Sequence, residues 1–446
     1  MTRWAGPPRF SLRLPSPSLA AAAALALLNA IAVVALWGPA GVRDIHDTAS
    51  LLTGLGRVTG LLGAYLVLLQ LLLLARIPWL ERRVGFDRLT RWHRINGFAC
   101  MALLLSHAAL ILAGYTVGDR TSLWAEVERL ITGYPGVITA IAGLVVLIGV
   151  TVTSVAIVRR RLRYETWYFV HLYAYLGVAL AFSHQLATGS EFVGRPAARA
   201  YWYALYAFTL GSLIGFRVLL PLGRSAWHRL RVVRVIDEAP GVVSLEIGGV
   251  RLDRLKARTG QFFTWRFLTR NHWWEAHPFS LSAAPDGRRL RITVKGLGDH
   301  SRSLADIAPG TRVIVEGPFG AFTAAGRRRP RVALIAGGAG ITPIRALLED
   351  MPGKPGDIAV VYRVSREEDV ILRAELDELA TRRGADLHYV LGSDPLSPER
   401  LLELVPDIAA RDVYVCGPPA MTEATRASLG RSGVPRRHVF VERFAL

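Results

Sequence analysis

Six long apolar stretches fill the first half of the chain, near 18 to 38, 51 to 75, 95 to 115, 135 to 158, 167 to 187 and 201 to 222. A helix needs about 20 apolar residues to cross a hydrocarbon core of roughly 30 Å, so the pattern predicts a six-helix transmembrane bundle. The first stretch is either a retained span or a cleaved signal peptide, since Arg3, Arg9 and Arg13 precede it. Its length and the spans that follow favour retention.

The formal charge of +19 comes from 54 Lys plus Arg against 35 Asp plus Glu. No nucleic-acid motif accompanies it, and the basic residues bracket the apolar stretches, so the charge reads as topology and no nucleic-acid partner is expected. Arg76, Arg82, Arg83, Arg88 and Arg91 follow the second stretch, and Arg159, Arg160, Arg161 and Arg163 follow the fourth. The opposite loops hold only Arg43, Arg120, Arg129, Arg195 and Arg199, diluted by Asp44, Asp47, Asp119, Glu126, Glu128 and Glu191. The positive-inside rule then puts both termini in the cytoplasm.

Four histidines fall at bilayer depth, where ionisable groups are costly and tend to serve function. His93 and His107 lie in the third stretch, His171 and His184 in the fifth. Fourteen helical residues rise about 21 Å and thirteen about 20 Å, and both helices run outward. His93 therefore matches His171 in depth, and His107 matches His184. Each pair can hold a haem iron between two imidazoles, whereas a lone histidine would read as an ordinary hydrogen-bonded core residue. Fourteen positions return within about 40° of one face but thirteen leave a histidine about 140° away. The fifth helix needs a π-bulge, or the haems sit on different flanks of it. Arg57 suits a haem propionate, and Arg94 either does the same at the inner site or snorkels to the interface.

After Leu222 short strands and turns predict an antiparallel β-barrel, and from Arg331 strands alternate with helices as in a parallel α/β sheet. HPFSLS carries His277, Pro278, Phe279 and Ser280. KGLGDHSRSL begins at Lys295, and in it Gly298 permits a close ligand while His300 and Ser301 open a helix whose N–H groups favour phosphate. GGAGITP, with Gly337, Gly338, Gly340, Ile341, Thr342 and Pro343, joins an apolar strand to a helix start and reads as a pyrophosphate cradle, although its spacing departs from GxGxxG. Ser365 and Arg366 end the next strand and either meet an adenosine 2′-phosphate, favouring NADPH over NADH, or are solvated surface groups. Cys416, Gly417, Pro418 and Pro419 close a later strand at the edge where α/β sheets bind ligands. Phe444 either stacks on a flavin or packs in the core. Cys100 and Cys416 are the only cysteines, which leaves no disulfide framework and no cysteine-ligated metal cluster.

In this order the parts resemble the ferric reductase and NADPH oxidase superfamily. His93, His107, His171 and His184 match its haem ligands, His277 to Ser280 its flavin motif, His300 and Ser301 its FAD pyrophosphate contact, Gly337 to Pro343 and Cys416 to Pro419 its NAD(P)H motifs. Phe444 is similar to its C-terminal aromatic, with two residues following it here. The resemblance implies a membrane domain at 1–225, an FAD-binding barrel at 226–329 and an NAD(P)H domain at 330–446. It also implies an NAD(P)H-dependent flavocytochrome b of the plasma membrane with FAD and two b-type haems. Electrons would pass from a small-molecule donor, NADPH or NADH, to a small-molecule acceptor outside. A ferric chelate is the favoured acceptor and O2 the alternative. A haem-binding subunit serving a partner, and a flavin reductase with an inert anchor, are the competing classes. The oligomeric state stays open.

Overall fold

Uninterrupted apolar sequence gives long helices, and their ends fall where the chain offers a cap. In the computed structural model, α1 spans Pro17–Gly41, α2 Thr48–Leu73, α3 Pro78–Val84, α4 Phe86–Asp119, α5 Leu123–Gly133, α6 Val137–Ser154, α7 Ala156–Arg159, α8 Tyr164–Thr188 and α9 Pro196–Leu213. The structure describes residues 17–443 apart from 160, 163, 189–194, 271, 272, 297, 298 and 394. Asp47 starts α2 through a reciprocal capping box with Ser50. Pro78 and Pro196 stand at the first turns of α3 and α9, where a missing N–H costs nothing. The chain forms two units, Met1–Phe216 and Arg217–Leu446.

In the first unit, α2 packs along α4 and α6 along α8. Leu25, Ile31, Val145 and Phe208 are each more than half exposed, an apolar outer surface of the kind that lipid covers. Among the described residues, five helical segments are long and apolar enough to cross a membrane: Ala20–Pro39, Thr48–Leu73, Arg88–Asp119, Val137–Ser154 and Pro196–His228. The fifth predicted stretch forms α8, which is richer in tyrosine and histidine and falls outside that set.

Two sequence expectations need correction, and one pair of alternatives is narrowed. α4 begins at Phe86, so Arg88 and Arg91 are helical and not in a loop, because nothing breaks the helix before Gly85 at φ +87°. The loop after α4 contains the amphipathic α5, whose Glu126 is fully buried. α8 is an unbroken α-helix with no π-bulge, and the π-helical turn lies at Ile214–Leu219 instead.

The second unit opens with α10, Leu220–His228. Strands β1 Arg231–Ala239, β2 Val242–Gly248, β3 Phe262–Phe267, β4 His277–Ser280, β5 Arg289–Lys295 and β6 Val313–Phe319 follow, with α11 at Asp299–Ser303. They form two three-stranded antiparallel sheets, ordered β1-β2-β5 and β4-β3-β6. Isolated bridges between Arg231 and Arg312 and between Leu281 and Ile292 link their margins. Alternating side chains of both sheets, including Leu245, Ile247, Phe263, Trp265 and Ile292, make the core.

The remainder is an α/β layer with β7 Val332–Gly337, α12 Ile341–Asp350, β8 Ile358–Val364, α13 Arg373–Arg383, β9 Asp386–Leu391, α14 Pro398–Leu404, β10 Asp412–Gly417, α15 Pro419–Arg431 and β11 Val439–Arg443. The sheet is parallel, in the order β11-β10-β7-β8-β9. β7 and β10 are completely buried, as expected of strands covered on both faces. Chain order reverses between β7 and β10, which makes their carboxyl ends a switch point where such sheets bind ligands.

Candidate functional site

The four histidines meet as the depth argument requires. The rings of His93 and His171 have centroids 6.0 Å apart, and those of His107 and His184 lie 6.5 Å apart. Removing the ring radii leaves about 4 Å between ring edges, twice a typical metal–imidazole bond of about 2.0 Å. Because α8 is regular, its two histidines leave it in directions about 140° apart, and each still reaches its partner on α4.

Each ring also has its Nδ1 occupied. His93 donates to the Gln70 carbonyl at 3.1 Å, and His107 to the Gly56 carbonyl at 2.8 Å. His171 faces Ser154 Oγ at 3.2 Å while Ser154 gives its only hydrogen to the Val150 carbonyl, so the serine accepts. His184 faces Thr188 Oγ1 at 2.8 Å, and Thr188 likewise gives its hydrogen to the His184 carbonyl. A proton fixed on Nδ1 leaves the Nε2 lone pair free, the tautomer that ligates metal. Two neutral imidazoles facing across such a gap fit a haem iron.

Sequence reading missed these partners. Asn96 adds to them by donating to Leu66 O and to Gln70 Oε1, both at 2.8 Å, and the Trp167 ring lies 5.0 Å from that of His171. A cavity of about 410 Å³ adjoins His107 and His184 and is lined by Arg57, Leu104, Tyr115, Leu130 and Leu144. Gly60 borders it because a Cβ there would come 2.5 Å from His107 Nδ1. Arg94 is exposed.

In the second unit, the HPFS motif is strand β4 itself. Its Phe279 pairs with Phe263 in the β3 register, and its Ser280 is buried. The rings of His277 and Phe279 stack at 6.4 Å, and the Phe279 carbonyl accepts from Trp265 Nε1 at 3.0 Å. Ser301 lies within α11 and is half-buried, while Gly298, the His300 side chain and Phe444 lie outside the described residues.

The glycine turn at Gly338–Gly340 leads directly from β7 into α12. A Cβ on Gly340 would collide with the Cys416 carbonyl, so only glycine lets this turn approach the end of β10. Gly337 and Gly417 are in near contact across the same crevice. Ile341, Thr342 and Pro343 are buried in the first turn of α12, and Pro418 and Pro419 are exposed beyond β10. Cys416 is fully buried, and burial, with a contribution from Glu442, pushes its thiol well above the usual range.

Ser365 is exposed, and Arg366 is ion-paired with Glu368 at 2.5 Å and Asp369 at 3.3 Å. Lys295 reaches the same Asp369 at 2.8 Å. The Lys295 bond, ahead of Arg366, holds the Asp369 carboxyl below its ordinary range. Arg291 on β5 makes two bonds, 2.6 and 2.7 Å, to Glu375 on α13, and buried Arg345 joins them at 2.8 Å. These pairs tie the antiparallel sheets to the α/β layer.

Three family descriptions match the chain: a ferric reductase like transmembrane component over residues 59–182, an FAD-binding domain over 241–323 and an oxidoreductase NAD-binding domain over 334–427. Together with the fold they define a membrane-type oxidoreductase whose ferric-reductase-like helices precede a flavin and nicotinamide reductase module. Curated relatives include NADH-cytochrome b5 reductase 1 of Cryptococcus neoformans, 30% identical over 31% of this chain and 54% of that protein. The ferredoxin reductase component of the Mycolicibacterium smegmatis 3-ketosteroid-9-alpha-monooxygenase is 31% identical over 50% of this chain and 67% of its own length. The chain thus spans about half the length of the first curated relative, 54% of it. Among solved structures, the FAD/NAD-binding domain of a Vibrio cholerae nitric oxide dioxygenase is 24% identical over 48% of this chain and 98% of that one, with a TM-score of 0.41. The three matched domains, in this order, are the architecture of the ferric reductase and NADPH oxidase superfamily, to which the chain belongs.

Proposed function

We propose that the protein moves electrons from cytoplasmic NADPH or NADH to an iron(III) chelate on the outer side of the plasma membrane, with FAD and two b-type haems as carriers. In this reading six spans carry the haems at His93 with His171 and at His107 with His184. Both termini are cytoplasmic, residues 226–329 close as a six-stranded barrel for FAD, and residues 330–446 bind the nucleotide. The observation that carries it is the pairing of the four rings with every Nδ1 engaged.

When bound, the flavin and haems supply hydride acceptance and one-electron transfer. The chain supplies the rest. β4 and the start of α11 offer the flavin surface, the Gly338–Gly340 turn and the end of β10 hold the nucleotide, and the apolar wall around His107 and His184 keeps water from the outer site.

Purified protein is expected to show a low-spin b-type spectrum with about two haems per FAD. NADPH should reduce those haems anaerobically. In proteoliposomes an iron(III) chelate should reoxidise them faster than O2 does. Faster reoxidation by O2 would make the protein an oxidase, and one haem or none would remove the proposed ligand pairs.

A further inference from the structure

Two hydrogen-bond donors face the outer cavity with nothing to donate to. Arg57 lines it from α2, and among the described residues no group accepts from its guanidinium. Both nearby acids are already held, since Arg129 bonds to Glu126 at 2.9 Å and pairs with Asp119. Gln185, the residue after His184, lines the same cavity. Tyr206 on α9 donates its hydroxyl to Gln185 Oε1 at 2.6 Å. That length suits O–H···O and is short for N–H···O, so the oxygen end of the amide is taken and the NH2 end stays free. Phe182 packs 4.3 Å from the Tyr206 ring and fixes it. Thr188 cannot add a third donor, because its hydrogen is spent on the His184 carbonyl.

A guanidinium and an amide NH2 left without acceptors in a largely apolar pocket favour an anion that completes them. We propose that Arg57 and Gln185 form a clamp for a carboxylate in the outer cavity, with Tyr206 aiming the Gln185 amide. The clamp rests on the reading of His107 and His184 as a haem site. Its carboxylate comes either from a propionate of that haem or from an iron(III) chelate entering from outside.

The test uses the full-length, haem-loaded protein and the variants Gln185→Leu, Gln185→Glu and Tyr206→Phe. If the ligand is a propionate, Gln185→Leu shifts the midpoint of one haem component, Gln185→Glu shifts it further, and Tyr206→Phe gives part of the effect. Reconstitution with haem dimethyl ester then abolishes these shifts. If the ligand is the acceptor, midpoints stay put and KM for iron(III) citrate rises about tenfold, the loss of one bond to a charged group, while ruthenium(III) hexaammine is reduced as before. Should Gln185→Leu fail to fold, Tyr206→Phe carries both arms. Unchanged midpoints together with an unchanged KM, at full haem content, would overturn the clamp. Wild-type protein with fewer than two haems would instead remove the reading beneath it.

Discussion

His107 on α4 donates from Nδ1 to the Gly56 carbonyl on α2 at 2.8 Å, and His93 does the same to Gln70 at 3.1 Å. The acceptors are fourteen residues apart and so are the donors, in opposite chain order. α2 therefore lies antiparallel along α4 as a ruler of equal pitch and fixes the tautomer of both α4 histidines with backbone atoms that no side-chain mutation removes.

If each ring pair grips one iron, His107→Ala removes one haem only. Haem content should fall from about two to about one per FAD, with loss of roughly half the Soret absorbance, and His93→Ala should remove the other. Pyridine haemochrome assay against flavin content measures this. A variant that keeps both haems contradicts the pairing.

Ser154 and Thr188 accept from Nδ1 of the two α8 histidines and so raise their basicity. Ser154→Ala should make the haem at His171 easier to reduce, raising one midpoint, and Thr188→Val should raise the other. Spectroelectrochemical titration resolves the two components. Both variants moving the same component is the adverse result.

Gly340→Ala places a Cβ against the Cys416 carbonyl, which pushes the nucleotide turn away from β10. We expect KM for NADPH or NADH to rise at least about tenfold, equivalent to roughly 1.4 kcal/mol, with FAD content unchanged. Loss of FAD in step with nucleotide affinity would place the turn in a different role.

Burial works against the Glu375 carboxylate, but the bonds and charges of Arg291 and then Arg345 outweigh it and hold its pKa below the ordinary 4.5. A lowered folded-state pKa contributes stability that is present above the ordinary value and is lost as pH falls through the folded one. Glu375→Gln should thus destabilise the reductase unit by about 1–3 kcal/mol near neutral pH, and its gap from wild type should shrink as pH drops below 4.5. Flavin-release melts across pH give the comparison, and a gap that widens in acid would refute the assignment.

The apolar stretches, the spacing of the histidines and the strand–glycine–helix run at Gly337 to Pro343 were legible because each is local: apolar length, helical rise and turn chemistry act within a few neighbouring residues. Other features were not legible. α5 was hidden in a loop because Glu126 looks like a surface acid until Arg129 and Thr121 are seen to satisfy it in a buried site. The two alternatives for α8, a bulge or partners on different flanks, could not be separated, because only the neighbouring helix shows that partners are reached from either flank. Arg366 was expected at a 2′-phosphate or in solvent and instead pairs with Asp369 three residues along, while Lys295 reaches the same Asp369 only because the two layers of the reductase unit come together.

By itself the sequence determined which segments are helical and apolar, how far apart the histidines lie along each helix, and where a strand runs through glycine into a helix. Only the tertiary structure decided which ring faces which, which nitrogen of each carries the proton, and which cations are already paired. Periodicity fixes distance along one element, whereas those choices depend on atoms supplied by another element whose register no local pattern encodes.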